Sequence, residues 1–290
     1  MTTNRATNLR ELGELFKQED REWVRKKGLE VKLRPSDVVI TPYGKSGTTW
    51  TQQIVHTLRT RGDMDFDDIS RVVPWIEVSA GLDIDLDAEQ KANPRAFKSH
   101  LAWGDMPRGG KYINVVREPS SAAVSAFKFM EGWYIEPDTI DVNEFVQMTF
   151  LTRREYYKHL RSWWARRNDD DVLFLAYEHM LDDPSGTIAR IADFANIELD
   201  DDLLEITLEH SSREFMLKYQ DRFDDAMLRR QSEELVGLPP GSDSSKVTAG
   251  SSTHVLSEET LALFDKAWQE EITEPLGYET YGDLIAALAI

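Results

Sequence analysis

The stretch Val38-Val39-Ile40-Thr41-Pro42-Tyr43-Gly44-Lys45-Ser46-Gly47-Thr48-Thr49-Trp50 decides the fold. Its three leading β-branched residues predict a short buried strand. A Gly/Lys/Ser/Thr loop follows. From Thr48 to about Thr60, Trp50, Ile54 and Leu58 recur at helical spacing, which predicts an amphipathic helix. A strand-to-helix turn of this kind suits an anion. Backbone N–H groups at a helix N-terminus point outward, and the helix dipole favours negative charge there. Lys45 adds a cation, while Ser46, Thr48 and Thr49 add hydroxyl donors. The loop is built to hold a phosphate-like group.

Working outward, Arg95 to Leu101, Lys111 to Val116 and Asp171 to Tyr177 read as three further strands. Pro119 opens a helix directly after the third strand. A long helix is expected over Asn143 to Trp164, and another after Pro184. The last helix begins near Ser257, with Leu261, Phe264, Trp268 and Ile272 on one face. Apolar strands alternating with helices predict an α/β fold: a P-loop-like parallel sheet flanked by helices on both faces. One domain is expected over 1–290, with the Gly/Ser/Pro-rich segment 239–254 as a flexible loop or lid.

Composition narrows the function. The chain has 34 Lys and Arg against 52 Asp and Glu, a net charge of −18. That balance argues against a nucleic-acid partner and against an anionic membrane surface. With no cysteine, disulfides, thiolate nucleophiles and cysteine metal sites are excluded. The first twenty residues lack the apolar core of a signal peptide and no run reaches transmembrane length, so a cytoplasmic enzyme is expected. The triphosphate fingerprint G-x-x-x-x-G-K-[ST] would need a glycine at position 39, which is Val39. The fourth strand ends at Tyr177-Glu178, without a clear magnesium-binding aspartate. A nucleotide-dependent kinase is thereby an alternative with little support.

From Tyr43 to Trp50, seven of eight positions match Y-P-K-S-G-T-T-W, Gly44 replacing the proline. This resembles the 5′-phosphosulfate loop of the cytosolic-type sulfotransferases. Phe97-Lys98-Ser99-His100-Leu101 is similar to that family's F-K-T-H-L segment. Arg117 to Ser125 resembles R-N-P-x-x-x-A-V-S, and Tyr177-Glu178 with Pro184 resembles Y-E-D/N-x-x-x-x-P. Val73-Pro74-Trp75-Ile76-Glu77 is similar to its P-[FYW]-[LI]-E segment.

The resemblance implies a co-substrate, 3′-phosphoadenosine 5′-phosphosulfate, and a small hydroxylated acceptor, with no metal. In-line transfer of the sulfuryl group would then rest on positioning and electrostatics, as phosphoryl transfer does. It implies His100 as general base, Lys45 on the 5′-phosphate and bridging oxygen, and Lys98 on the sulfonate oxygens. It also implies that Ser46, Gly47, Thr48, Thr49, Trp50, Arg117, Ser125, Tyr177 and Ser211 hold the nucleotide. At the family's R-K-G-x-x-G-[DS]-W clamp this chain keeps only Lys246 and Gly250. Arg213 stands where the family has an aromatic residue. Trp75, Phe127, Phe129, Met130, Trp133 and Tyr134 form an aromatic-rich set suited to an apolar alcohol or phenol. Glu131 and Glu136 nearby disfavour an acidic acceptor. The altered clamp leaves open a nucleotide-binding module with eroded catalysis. The animal dimer motif K-x-x-x-T-V-x-x-x-E is absent, so the oligomeric state is open.

Overall fold

The computed structural model describes residues 5–240 and 255–288. Four strands form one sheet: β1 Val38–Ile40, β2 Ala96–Lys98, β3 Lys111–Val116 and β4 Val172–Ala176. All pair in parallel, in the order β2-β1-β3-β4. Their carboxyl ends therefore share one edge, with Ile40 level with Lys98 on one side and Ile113 on the other.

Side-chain alternation along β1 divides the core between the two faces of the sheet. Val39 joins Phe97, Tyr112, Ala123 and Trp163 in one buried cluster. Val38 and Ile40 join Ala96 and Ile113 in the other, against Ile54 and Leu58 of the Thr48–Thr60 helix and Ile188 of the Pro184–Phe194 helix. This two-sided cover explains why β1 reads as an unbroken apolar run. Beneath it, Arg95 Nη2 lies 2.6 Å from Asp37 Oδ2, both side chains 1% exposed. The same guanidinium donates to the Leu86 and Lys32 carbonyls, so the starts of β1 and β2 are tied together.

The chain departs from the sequence expectation in three places. The expected 143–164 helix is broken into Val142–Val146, a π-helical turn over Gln147–Leu151, and Glu155–Trp164. Hydroxyls compete with the backbone ladder there: Thr149 Oγ1 donates to the Phe145 carbonyl and Thr152 Oγ1 to that of Gln147. Arg154, left-handed at φ 57°, restarts the helix. The second strand also ends early, at Lys98. Beyond it Ser99 N still donates to the Ile40 carbonyl, while Lys98 N and O pair with the Pro74–Ile76 segment. The fourth strand likewise stops at Ala176, and Tyr177 is already helical. No helix among the described residues is long and apolar enough to cross a membrane.

Candidate active site

Above the shared strand edge lies a cavity of about 1070 Å³, at the top of the roughly 300–1,000 Å³ range of single-ligand sites. Its floor is the loop after β1. Lys45 and Gly47 are left-handed, at φ 68° and 90°. These two residues turn the chain so that Thr48 opens its helix toward the cavity. A Cβ on Gly47 would meet Tyr177 Cδ2 at 2.9 Å, so both the turn and the ring beside it require glycine.

The loop is short of partners in a telling way. Ser46 Oγ, Thr48 Oγ1 and Trp50 Nε1 are buried atoms with no hydrogen-bond partner among the described residues. Buried polar atoms are nearly always satisfied, and orphans side by side in one loop call for an explanation. An oxyanion held at the helix N-terminus would accept from the Thr48 hydroxyl. Ser46 itself is fully buried and stands behind the cavity wall, not in it.

Cations crowd the same end. Arg117, at the end of β3, donates from Nη1 to the Lys45 carbonyl at 2.9 Å and lies 4.5 Å over the Tyr177 ring. Glu178 Oε1 accepts from Glu118 N, and Tyr156 Oη donates to the Arg117 carbonyl, so the backbone of Arg117 is held on both sides. Glu118 caps the Pro119–Met130 helix through Ser120 N and Ser121 N. The Lys45 ammonium lies 4.2 Å from the Phe129 ring centre. Burial, with Arg117 and Lys98 nearby, pushes its pKa down to about 7. The Lys45 end of the cavity is thus a place of raised positive potential, as an anion site should be.

His100 lies two residues past the end of β2 and lines the cavity with Lys98 and Trp75. Its Nδ1 is 2.8 Å from the Pro42 carbonyl oxygen. A carbonyl only accepts, so Nδ1 carries the proton and Nε2 is left as the basic nitrogen. Its backbone N–H donates to Glu77 Oε1 at 2.7 Å, fixing the ring's origin. Glu77 is itself raised above the usual carboxylate range by burial. Two other histidines are core residues: burial pushes His56 down to about 4 and His159 to about 3, leaving both neutral.

Of the remaining expected residues, Thr49, Trp50, Ser125, Tyr177 and Ser211 line the cavity, as do Phe129, Met130, Trp133 and Tyr134. Trp50 meets Tyr177 edge to face at 5.7 Å. Phe127 does not line it. On the Pro119–Met130 helix it points with Ala123 and Val124 into the core, against Phe145 at 5.4 Å. Lys246 and Gly250, with most of the 239–254 loop, lie outside the described residues. Glu131 and Glu136 are not in the wall either; the carboxylates that are include Glu19, Asp20, Glu77 and Asp225. Sequence reasoning missed Glu19, Asp20, Asp225, Thr149 and Phe150, while Glu77 and Tyr43, which also line the cavity, fell within matched segments without a role of their own. Thr149 and Phe150 both lie on the π-helical turn.

A sulfotransferase domain matches residues 35–274 of the chain. The chain belongs to the sulfotransferase family. Sulfotransferase 2A1 of Rattus norvegicus is 30% identical to it over 255 residues, 83% of this chain and 86% of the relative. Sulfotransferase 1B1 of Canis lupus familiaris is 30% identical over 201 residues, covering 63% and 67%. Among solved structures, retinol dehydratase in complex with retinol and PAP superposes with a TM-score of 0.68 at 24% identity, covering 87% of this chain and 86% of that one. A mouse sulfotransferase complexed with PAP superposes with a TM-score of 0.61 at 19% identity, covering 92% of each chain. This sulfotransferase shares their fold, and as a member of the family it is a transferase that moves sulfuryl groups.

Proposed function

We propose that the chain transfers a sulfuryl group from 3′-phosphoadenosine 5′-phosphosulfate to a hydroxyl of an apolar alcohol or phenol, with His100 as general base. The observation that carries the reading is the His100 tautomer: Nδ1 is committed to Pro42 O, which leaves Nε2 basic on a ring that lines the cavity. Imidazole is suited to this task because its ordinary pKa lies near working pH.

The residues present fit the donor. Thr48 Oγ1 and the amides of the Thr48 helix suit the 5′-phosphate, and Trp50 with Tyr177 offers aromatic surface for the adenine. Arg117, with Ser125, suits the 3′-phosphate; a guanidinium fork matches such an anion better than a point charge does. The donor supplies an activated sulfur. As the acceptor oxygen bonds to it, the bond from sulfur to the 5′-phosphate oxygen breaks and the acceptor proton passes to His100 Nε2. Lys45 neutralises charge on the departing phosphate oxygen, and Lys98 faces the transferring sulfonate. The aromatic lining of Trp75, Phe129, Met130 and Trp133 favours an apolar acceptor. PAP accompanies retinol in one structural neighbour, an alcohol of this apolar kind.

Incubation with the 35S-labelled donor and a panel of phenols and lipophilic alcohols tests the reading without added metal. Label should pass to a hydroxyl, and His100→Ala should lower kcat by about 10²–10⁴-fold. Transfer that survives that substitution unchanged would remove His100 as the base.

A further inference from the structure

In the cavity wall, Lys98 Nζ stands 3.1 Å from Asp225 Oδ2 and 3.4 Å from Oδ1, each side chain 2% exposed. Asp225 comes from the turn before the Ala226–Val236 helix, far from Lys98 in sequence, and its backbone is left-handed at φ 52°. Its carboxylate is anchored. Ser70 Oγ donates to Oδ1 at 2.6 Å, while Met227 N donates to Asp68 Oδ2 and Ser70 N to Asp68 Oδ1.

A buried lysine has reason to shed its proton, because burial penalises the ammonium. Lys45 and Arg117, at the ends of the adjacent strands, add positive charge on the same side of the cavity, and His100 and Glu77 share the wall. The Trp75 ring, 4.2 Å from Lys98 Nζ, offers only a weak partner. The Asp225 carboxylate supplies the formal charge that favours the ammonium.

We infer that Asp225 is a positioning residue for sulfuryl transfer: its carboxylate keeps Lys98 protonated and oriented at the pH where His100 is neutral. It works through Lys98. The inference rests on the transfer reading above and adds to it a residue from a segment that no motif marks.

The test compares kcat of Asp225→Asn with that of the unsubstituted protein from pH 6 to 9, using the labelled donor and a phenol. The ratio of the two cancels the titration of His100. Lys98 acts when protonated, so in Asp225→Asn its contribution is present at low pH and lost as pH rises through its lowered pKa. The ratio should fall about tenfold or more between pH 6 and 9. Adenosine 3′,5′-bisphosphate binding, read by calorimetry, should report a folded variant. Asp225→Glu, which keeps the charge, should give a ratio that stays level over the same range. A level ratio for Asp225→Asn in a nucleotide-binding variant overturns the inference. Should Asp225→Asn fail to bind nucleotide, Asp225→Glu decides alone: a level ratio supports the charge argument, and one that falls with pH overturns it. If the unsubstituted protein transfers no label, both this inference and the transfer reading fall; if it transfers label and the asparagine ratio is level, only this one does.

Discussion

Raising the pH from about 6.5 to 8.5 should strip the free protein of its Lys45 charge and, with it, much of its hold on adenosine 3′,5′-bisphosphate. Burial first, then Arg117 and Lys98, pushes the Lys45 pKa down to about 7. An anion bound beside it favours the ammonium, so the pKa in the complex lies above that in the free protein. The stabilisation from binding is therefore complete below pH 7 and is lost as pH rises through it. With a pKa of about 7, roughly three quarters of the lysine is charged at pH 6.5 and roughly one part in thirty at pH 8.5. The affinity should drop about 25-fold over that span, or about 1.9 kcal/mol. The ligand's own second phosphate ionisation, near pH 6, works weakly in the opposite direction. Calorimetry in buffers of different ionisation enthalpy reads both quantities: the affinity, and a proton uptake that approaches one per site at the alkaline end. Lys45→Met should bind more weakly at pH 6.5 and lose both the slope and the uptake. An affinity flat across this range, with no proton taken up, would refute the claim that Lys45 is held near neutrality by its surroundings.

Arg95→Met should leave the buried Asp37 carboxylate unpaired and cost about 3–5 kcal/mol, a fall in melting temperature of about 6–20 °C at 2–4 °C per kcal/mol. Adding Asp37→Leu should recover most of that loss; a single variant melting within a degree or two of the parent would show that the pair holds little. Gly47→Ala asks an alanine to adopt φ 90° with its Cβ 2.9 Å from Tyr177, which costs about 1–2 kcal/mol in backbone strain alone. Its nucleotide affinity should fall about tenfold or more as the loop and Tyr177 shift, and parent-like calorimetry and melting would count against the close packing.

Much of the donor side was legible in the sequence because each signal there is local. A three-residue apolar run, a loop of small hydroxyl residues and a helix face at i, i+4 and i+8 all lie within Val38–Leu58. Arg117 was legible for the same reason: a charge directly after an apolar strand marks that strand's end. The break at Gln147–Leu151 was not, since helical periodicity survives there and only the hydroxyl bonds of Thr149 and Thr152 reveal the competition. Phe127 shares its helix with Phe129 and Met130, and which face met the core depended on Phe145, a partner no local pattern names. Asp224-Asp225 before a helix reads as an ordinary solvated N-terminus. That one of the pair lies buried against Lys98 is a tertiary fact.

The strand order β2-β1-β3-β4 sets the cations of the cavity on different strands. In the proposed transfer, Lys98 and His100 come from the end of the strand on one side of β1, and Arg117 follows the strand on the other. The loop after β1 lies between the two. Trp75, which bridges to Lys98, sits on the β2 side, whereas Phe129 lies on the helix that follows β3 and packs against the Lys45 ammonium. An engineer seeking a new acceptor would therefore start from Trp75 on the β2 flank, because a change at Phe129 or Met130 is felt by the helix that also carries Ser125.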